Sequence, residues 1–424
     1  MSADTYTHFD PSRTSGENAD ITCDHYNLFE QDVKLMKTLG MDTYRFSIAW
    51  SRVTPLGCRN DPVNEAGIAF YDRLIDALLA NGITPSVTLY HWDVHQALYD
   101  RYKAFLNTDE FRADFERYAR LCLSRFGDRV QSWVTFNEPY IISIFGHLNG
   151  TLAPGHCREV GTDTRTEPWR FGHTLILSRA SVVALYAKEF QPSQKGRISI
   201  VLNGHFYEPY DASSQADIDA CQTRLEFYIG WFGDPIFLGL DYPACMKEYL
   251  GDRLPSFTPE GLALLKATSG INSFYGMNHY STKFARQLQR QSNGNSTFDD
   301  DWARNIDETA INSKAEEMGP VSITENGCPS PGEVDVKIAV ADEFRQKYFG
   351  LYLDAISQAI YEDGIKIEGY YAWSLMDNFE WSSGYGPRFG IVHTDFQTLK
   401  RTPKGSANYL QETFTSRRKE KATL

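Results

Sequence analysis

Helix-like and strand-like segments alternate along this chain, and that alternation limits the fold more than any other feature of the sequence. Apolar residues with helical spacing over 29–39 stop at Gly40, and residues 44–50 then have the character of a buried strand. The same succession recurs further along the chain. In all, seven segments predict strands, and they are residues 44–50, 86–92, 130–139, 197–203, 273–280, 321–326 and 367–376.

Strands that are apolar on both faces and alternate with helices indicate a parallel sheet covered by helices, which is the α/β class. No strand is followed by a phosphate loop or a Gly-x-Gly-x-x-Gly turn, so a nucleotide-binding open sheet is disfavoured. The 424 residues contain no linker, and we expect one domain over 1–424, a (β/α)8 barrel. Its less regular parts are a polar start, a shortened loop region and a polar tail, at 1–20, 286–320 and 415–424.

One strand of that barrel has no counterpart in the sequence. Nothing before Ile21 has strand character, and only seven strands can be counted. A barrel without one strand has two open edges. Ahead of the last strand we expect a helix whose buried face is formed by Phe344, Tyr348, Leu351, Ala355 and Ile356.

Composition excludes several classes of partner. The formal charge is −13, because 42 Lys and Arg face 55 Asp and Glu, and an acidic protein repels phosphate backbones and anionic lipids. No apolar run approaches the roughly 18 residues of a membrane helix, so we expect neither nucleic-acid nor membrane binding. The polar first twenty residues lack the pattern of a signal peptide and predict a cytoplasmic protein. Seven scattered cysteines predict reduced, mostly buried thiols.

Reactive groups of a βα barrel lie where the strands end. The residues at the predicted strand ends are Arg45, His91, Asn137, Glu138, Asn278, Tyr280, Glu325, Trp373 and Glu380. Carboxylates, an arginine, amides and tryptophans at one rim suit an uncharged, polyhydroxylated substrate. Two glutamates across a pocket suit cleavage of a glycosidic bond, where one protonates the leaving oxygen and the other attacks or activates water.

Each motif also has a purely structural interpretation. The "NEP" of residues 137–139 can begin a helix, with proline in the first turn and glutamate favoured by the helix dipole. The "TENG" of residues 324–327 can be a turn, because Asn-Gly is a common turn dipeptide. A tryptophan such as Trp373 is more often a core residue than a platform for a ligand.

Two further features look like binding sites at first sight. His91, Asp93 and His95 alternate along a strand end and resemble a metal triad, but no fourth ligand follows at a convincing spacing. We expect these residues to form hydrogen bonds and expect no metal. The basic residues between Arg417 and Lys421 are interpreted as a solvated tail.

Together the motifs resemble glycoside hydrolase family 1, the β-glucosidase family, and in particular its intracellular fungal-type members. The matching stretches, from Cys23 to the C-terminus, include "WVTFNEP", "FYGMNHY", "SITENG", "YYAWSLMDNFEW" and "RFGIVHTDF". The resemblance implies a retaining β-glucosidase that hydrolyses cellobiose and aryl or alkyl β-glucosides without a cofactor. Glu138 would then be the acid/base and Glu325 the nucleophile, with Arg45 and Tyr280 stabilising the charge on Glu325.

The family pattern also implies a pocket for glucose. Its residues would be His91, Asn137, Asn278, Trp373, Glu380 and Trp381, with Glu380 accepting from the 4- and 6-hydroxyls. Phospho-glycosidase relatives carry serine in place of Glu380, so an unphosphorylated sugar is expected. Thioglucosidase relatives replace the acid by glutamine, and Glu138 argues against that activity.

The chain also departs from the family pattern. The family begins with a strand whose glutamine binds the sugar's 3- and 4-hydroxyls, and both are missing here. The region before "SITENG" is shortened, and His95, Ser273 and His393 replace a proline, an aspartate and a tyrosine. A rival interpretation is therefore a non-catalytic, sugar-binding or inert relative with the same fold.

Overall fold

The computed structural model describes residues 2–271, 274–288, 306–309, 325–330, 333 and 336–422. Some sequence predictions therefore lie outside the described residues. These are the replacement at Ser273, most of the loop region 286–320, and the first four residues of the predicted strand 321–326.

The strands of the described residues are β1 (Thr43–Ser47), β2 (Thr84–Tyr90), β3 (Ser132–Asn137), β4 (Arg197–Asn203), β5 (Phe206–Pro209), β6 (Gly276–Asn278), β7 (Thr282–Gln287), β8 (Ile306–Thr309), β9 (Val392–Thr394) and β10 (Arg401–Pro403). Five of them form a parallel sheet at the centre of the molecule, in the order β1-β2-β3-β4-β6. The register of this sheet begins with Thr43 opposite Thr84 and ends with Asn203 opposite Asn278. Strands β5, β7 and β8 form a second sheet, and β9 pairs with β10.

Two parallel bridges continue the central sheet beyond β6. Asn278 pairs with Glu325, and Asn326 pairs with Ala372. The segments of the sixth and seventh predicted strands thus lie next to β6 in space, in the same order as in the sequence. Five of the seven predicted strands form the parallel central sheet, and the described residues of the other two segments join it only through these single bridges.

Helices cover the outside of the sheet. The segments with helical apolar spacing, at 29–39, 68–78 and 111–126, form helices. These helices end one or two residues before Gly40, Gly82 and Gly127, close to where the sequence predicts their ends. The α-helices of six or more residues are Ala3–Phe9, His25–Thr38, Glu65–Ala80, Gln96–Tyr102, Thr108–Phe126, Glu167–Leu185, Gln215–Leu225, Ala244–Leu250, Pro259–Ser269, Val336–Ala341, Glu343–Tyr361 and Gly405–Ala422.

The hydrophobic core lies between the sheet and these helices. Strands β2, β3 and β4 are buried along almost their whole length. Aromatic rings fill much of the space, and Trp50, for example, stacks on Tyr118 with ring centroids 4.7 Å apart. A separate apolar cluster joins the C-terminal helix to the helix Glu343–Tyr361 and includes Phe349, Leu353, Val392 and Leu410.

An open gap separates β1 from residues 368–376. Strand β1 is the edge of the central sheet, and its residues are half-buried or exposed, unlike those of β2 to β4. A cavity of about 1080 Å³ lies between the two edges. Residues 367–376 were predicted to be a strand, and this was wrong: they form single bridges at Ala372 and Met376. A ladder needs a partner along its length, and one side of this segment faces the gap.

Side chains rather than strand pairing connect the two sides of the gap. The guanidinium of Arg401 on β10 donates to the Asp32 carboxylate at 2.9 and 3.2 Å, and both side chains are almost fully buried. The Gln411 amide donates to the Thr38 carbonyl at 2.8 Å. The Tyr385 amide donates to Glu17, again at short range (2.7 Å). The first two bonds fix the helix His25–Thr38, and the third fixes the segment at Glu17, against the C-terminal part of the chain.

Two sequence predictions need correction. The strand predicted at 44–50 ends at Ser47, and Trp50 instead begins a short helix, Trp50–Val53. The helix Glu343–Tyr361 exists, but Phe344 and Leu351 are both 53% exposed. Its buried residues are Arg345, Phe349, Tyr352, Leu353 and Ile356. Arg345 lies inside because Asp342 and Glu333 bind its guanidinium, and neighbouring positions on a helix then face outwards.

Two general properties complete the description. None of the helices in the described ranges has an apolar stretch long enough to cross a membrane. All seven cysteines are free; three are buried and four are half-buried, so they are less buried than the sequence predicts.

The buried pair of Arg401 and Asp32 makes a stability prediction. Asp32→Ala leaves a buried guanidinium without its counter-ion, and we expect a loss of about 3–5 kcal/mol in the free energy of unfolding. Urea denaturation followed by fluorescence measures it. The control is Glu65→Ala, which removes a solvent-exposed pair with Arg125 and should cost less than about 1 kcal/mol. Equal effects of both substitutions would show that the gap is not held by this pair.

Candidate active site

Glu138 stands where β3 turns into a helix. The strand ends at Asn137, and Glu138 has a φ of 46°, in the left-handed region that non-glycine residues rarely adopt. Such a conformation costs of the order of 1–3 kcal/mol. Pro139 then begins the short helix Pro139–Ile141. The "NEP" motif is therefore both a strand end and a helix start, and this geometry directs the Glu138 carboxyl into the barrel.

Glu325 lies opposite, between β6 and the gap. Its backbone pairs with Asn278, and Asn326 bridges to Ala372, so the interpretation of "TENG" as a turn is wrong for its described residues. Gly327 passes so close to the Trp373 carbonyl that a Cβ there would lie 1.9 Å from the oxygen. The sequence "ENG" thus combines a strand-end carboxylate with a close backbone contact that only glycine permits.

Two donors hold the Glu325 carboxylate. Arg45 donates to Oε1 at 2.5 Å, and the Tyr280 hydroxyl donates to Oε2 at 2.9 Å. The same guanidinium donates to the Asn137 side-chain oxygen at 2.6 Å and to the Thr88 hydroxyl at 3.2 Å. Arg45 lies in the middle of β1 rather than at its end, where the sequence placed it, and its length lets it reach the site.

Glu138 has very different surroundings. It is buried, and its hydrogen-bond donor is the Asn278 side-chain amide. Burial raises the pKa of Glu138 well above its usual value, and the negative charge of Glu325 raises it further. The bond from Asn278 and the charge of Arg45 oppose this rise without cancelling it. These surroundings favour the protonated form of Glu138, while Glu325 faces a cation.

A small cavity of about 220 Å³ opens above the two glutamates. Burial raises the pKa of Glu380 to about 7, aided by the charge of Glu325 and opposed by a hydrogen bond from Trp373. Burial, together with the Arg45 charge, lowers the pKa of His91 to about 3, so this imidazole is neutral. Residues lining the cavity are His91, Trp92, Glu138, Tyr280, Glu325, Trp373, Glu380, Trp381 and Phe389.

The structure brings all ten sequence-predicted site residues into one region. Seven of them line the small cavity, and the other three, Arg45, Asn137 and Asn278, are joined to these by hydrogen bonds. Trp373 is half-buried and faces the cavity instead of the core. The imidazole of His91 lies stacked on Trp373 and Trp381, with centroids 5.9 and 5.8 Å apart.

Two residues of the site were missed in the sequence. Trp92 has a φ of 70°, contacts Trp381 at a centroid distance of 4.8 Å and donates from its indole to the Asn137 carbonyl at 3.0 Å. Trp92 directly follows His91 in the sequence, and this position at the strand end is the feature by which the sequence could have identified it. Phe389 comes from the "PRFG" loop, and no local pattern distinguishes it from a core residue.

The alternating His91, Asp93 and His95 bind separate partners. His91 contacts the Asn137 amide, the Asp93 carboxylate accepts from the Ala3 amide at 3.0 Å, and His95 accepts from the Ala97 amide at 3.0 Å. They do not converge. Among the described residues, two other groups have side chains close enough to hold a cation, namely His147, His156 and Glu167, and Asp4, His8 and Asp20.

The first of these groups already forms a hydrogen-bonded cluster. Glu167 faces the imidazoles of both His147 (2.8 Å) and His156 through the same oxygen. Burial lowers the pKa of His147 to about 4.

A buried glutamate with a raised pKa and a glutamate held by arginine and tyrosine, at one sugar-sized pocket, form the site of a glycosidase. Comparison with known proteins agrees with this class. The family model described as glycosyl hydrolase family 1 matches residues 1–419, and the chain belongs to that family.

Relatives of known sequence and structure support the same fold. The chain is 46% identical to β-glucosidase 1B of Phanerodontia chrysosporium over 430 residues, which cover 95% of this chain and 79% of that protein. It resembles the crystal structure of a Humicola insolens β-glucosidase in complex with glucose at a TM-score of 0.91 and 39% identity, covering 98% and 93% of the two chains. A rice Os3BGlu6 β-glucosidase mutant in a covalent complex with glucose gives a TM-score of 0.88 at 37% identity, covering 97% and 92%. The (β/α)8 barrel predicted from the sequence is confirmed.

The coupling of the two glutamates can be measured directly. In Glu325→Gln the neighbouring negative charge is gone, so ionising Glu138 costs less and its pKa should fall by about one unit or more. Carbon-13 NMR titration of the side-chain carboxyls, assigned by difference with a Glu325→Gln/Glu138→Gln double variant, reports this value.

Glu380→Gln is the matched control, because Glu380 contributes least to the raised pKa of Glu138. A smaller fall is expected there. An unchanged Glu138 pKa in Glu325→Gln would mean that burial alone sets the value.

Proposed function

We propose that the protein is a retaining β-glucosidase that removes terminal glucose from cellobiose and from aryl or alkyl β-glucosides. The observation that carries the proposal is the unlike surroundings of Glu138 and Glu325 at one small cavity. The names of the relatives support glucose as the sugar, and the covalent glucose complex of the rice enzyme supports a covalent intermediate.

In the first step, Glu138 is the acid and Glu325 the nucleophile. Glu325 forms a bond to the anomeric carbon as the bond to the leaving oxygen breaks, and Glu138 transfers its proton to that oxygen. Before attack, Arg45 and Tyr280 keep the carboxylate in place by their bonds to its two oxygens. General acid catalysis of this kind contributes about 10²–10⁴-fold to the rate.

In the second step, Glu138 acts as a base instead of an acid. Once Glu325 is esterified its charge is lost, and the pKa of Glu138 falls for the reason given above. Glu138 can then take a proton from water, which attacks the anomeric carbon while the bond to Glu325 breaks. Both steps invert configuration, so the product retains the configuration of the substrate.

The remaining groups of the cavity suit an unphosphorylated glucose ring. Glu380 lies at the wall with a pKa of about 7, and in its ionised form it accepts hydrogen bonds from sugar hydroxyls but repels a phosphate. Asn137 and the neutral His91 offer further polar contacts. Trp373 and Trp381 provide apolar faces for the ring.

Replacing the nucleophile tests the mechanism. Glu325→Ala should lose at least about 10⁴-fold in hydrolysis of 2,4-dinitrophenyl β-glucoside, because no covalent intermediate can form. Azide fits the space left by the carboxylate, and adding it should restore turnover and yield the glucosyl azide of inverted configuration, identified by proton NMR.

The control is Glu30→Ala, an exposed glutamate of the helix His25–Thr38, which should keep wild-type rates without azide. Undiminished hydrolysis by Glu325→Ala would contradict the mechanism. Calorimetric binding of glucose by the wild-type protein without any turnover would favour the sugar-binding relative instead.

A further inference from the structure

We propose that His147, His156 and Glu167 form a binding site for one divalent transition-metal ion, and that Zn²⁺ fits this site best. The three residues lie in the segment that leads from the end of β3 to the helix Glu167–Leu185. None of them lines the small cavity or takes part in the proposed reaction, so the inference does not rest on the proposed function.

The three side chains provide a ligand set that suits zinc. Two imidazole nitrogens and one carboxylate oxygen make three protein ligands, and they leave the fourth position of a tetrahedral ion to water. Imidazole favours the late first-row transition metals, whereas Mg²⁺ and Ca²⁺ take oxygen ligands. The chemistry of the cluster therefore points to Zn²⁺ and its neighbours in the first row.

The ligand atoms already converge. The Glu167 Oε1 atom lies 2.8 Å from His147 Nδ1 and also contacts His156 Nδ1, and the ligand atoms of the three residues all lie within 4.8 Å of one another. A tetrahedral zinc ion, with bonds of about 2.0–2.2 Å, holds its ligand atoms about 3.3 Å apart. Side-chain shifts of the order of 1 Å therefore admit the ion between them.

The Tyr99 hydroxyl favours the form of His156 that binds a metal. Without an ion, each Nδ1 bonds to the Glu167 carboxylate as an N–H donor, since a carboxylate only accepts. Nδ1 can bind an ion when the single proton of the neutral ring is on Nε2 instead. The Tyr99 hydroxyl oxygen lies 2.5 Å from His156 Nε2 and can accept a hydrogen bond from it. Histidines that bind metals almost always have such an outer partner, which fixes the tautomer and the ring orientation.

Helices hold the site on two sides. Tyr99 belongs to the helix Gln96–Tyr102, and Glu167 is the first residue of the helix Glu167–Leu185. Phe171, one turn further along that helix, packs on the His147 ring with centroids 4.5 Å apart. The side chains of His156 and Glu167 keep 14% and 12% of their surface exposed, so an ion can enter from the solvent.

A bound ion would connect both ends and the middle of the loop 147–167. The unfolded chain does not hold these three ligands together, so binding stabilises the folded state. We expect saturating Zn²⁺ to raise the melting temperature and to slow amide hydrogen exchange within 147–167, measured by mass spectrometry. Unchanged exchange in this loop at saturating Zn²⁺ would place the ion elsewhere and overturn the proposal.

Calorimetric titration with Zn²⁺ tests binding, using the whole chain without a histidine tag and in a buffer that does not chelate metals. We expect one ion per chain with a dissociation constant of about 1 µM or lower. Co²⁺ in place of Zn²⁺ should give the visible absorption of a four-coordinate ion without a thiolate charge-transfer band. Absence of saturable binding, or a thiolate band that assigns the ion to a cysteine, contradicts the site.

Two variants distinguish a metal site from a purely structural hydrogen-bonded cluster. In Glu167→Gln the amide oxygen can still accept from both imidazoles, so the metal-free protein should melt cooperatively, but the affinity for Zn²⁺ should fall by more than about 100-fold without the anionic ligand. In Tyr99→Phe all three ligands remain and only the outer partner of His156 is lost, so the affinity should fall by about 10- to 100-fold.

His8→Ala is the matched control. It removes an imidazole from the exposed group of Asp4, His8 and Asp20 and should leave the affinity for Zn²⁺ unchanged. Wild-type affinity in both Glu167→Gln and Tyr99→Phe, or a loss in His8→Ala as large as that in Glu167→Gln, overturns the proposed site.

Discussion

The Arg45 guanidinium is the interaction on which the site and the barrel around it depend. From the middle of β1 it bonds to Thr88 on β2, to Asn137 at the end of β3 and to Glu325 beyond β6. One side chain thus joins the edge strand to three other parts of the barrel. It also forms a direct ion pair with Glu325 and none with Glu138. The second glutamate, Glu138, is left to burial and to a like charge, both of which raise its pKa.

The gap beside β1 makes this anchoring necessary. A closed barrel has no free edge, because each strand pairs on both sides. Here the two edges face each other across a cavity, and the buried Arg401–Asp32 pair connects the flanking helix to the C-terminal part of the chain. Buried ion pairs compensate poorly for lost backbone pairing, but they resist breaking, because either charge alone would be buried without a partner.

Three strained backbone positions lie at the active site. Glu138, Trp92 and Trp381 all have positive φ values, and all three line the small cavity. Left-handed backbone at non-glycine residues persists where surrounding contacts overdetermine it. At Glu138 these contacts are the end of β3, the fixed φ of Pro139 and the packing of Tyr140 on Tyr228 at a centroid distance of 3.7 Å. The carboxyl is therefore held by rigid backbone, which suits a group that must act twice in one reaction.

The local pattern of apolar residues alone determined where most helices and strands of this protein form. The periodicity of Phe111 to Phe126 and the apolar run of 197–203 need no knowledge of distant residues, and both elements lie close to where the sequence predicts them. The glutamates in "NEP" and "TENG" were readable for the same reason. Only the tertiary structure decided that Arg45 reaches the site from mid-strand, that Trp92 and Phe389 line it, and that Phe344 and Leu351 face outwards. These depend on contacts between residues far apart in the chain, such as Arg345 with Glu333 or Arg45 with Glu325, and the free energy of such contacts has no signature in the sequence next to either partner.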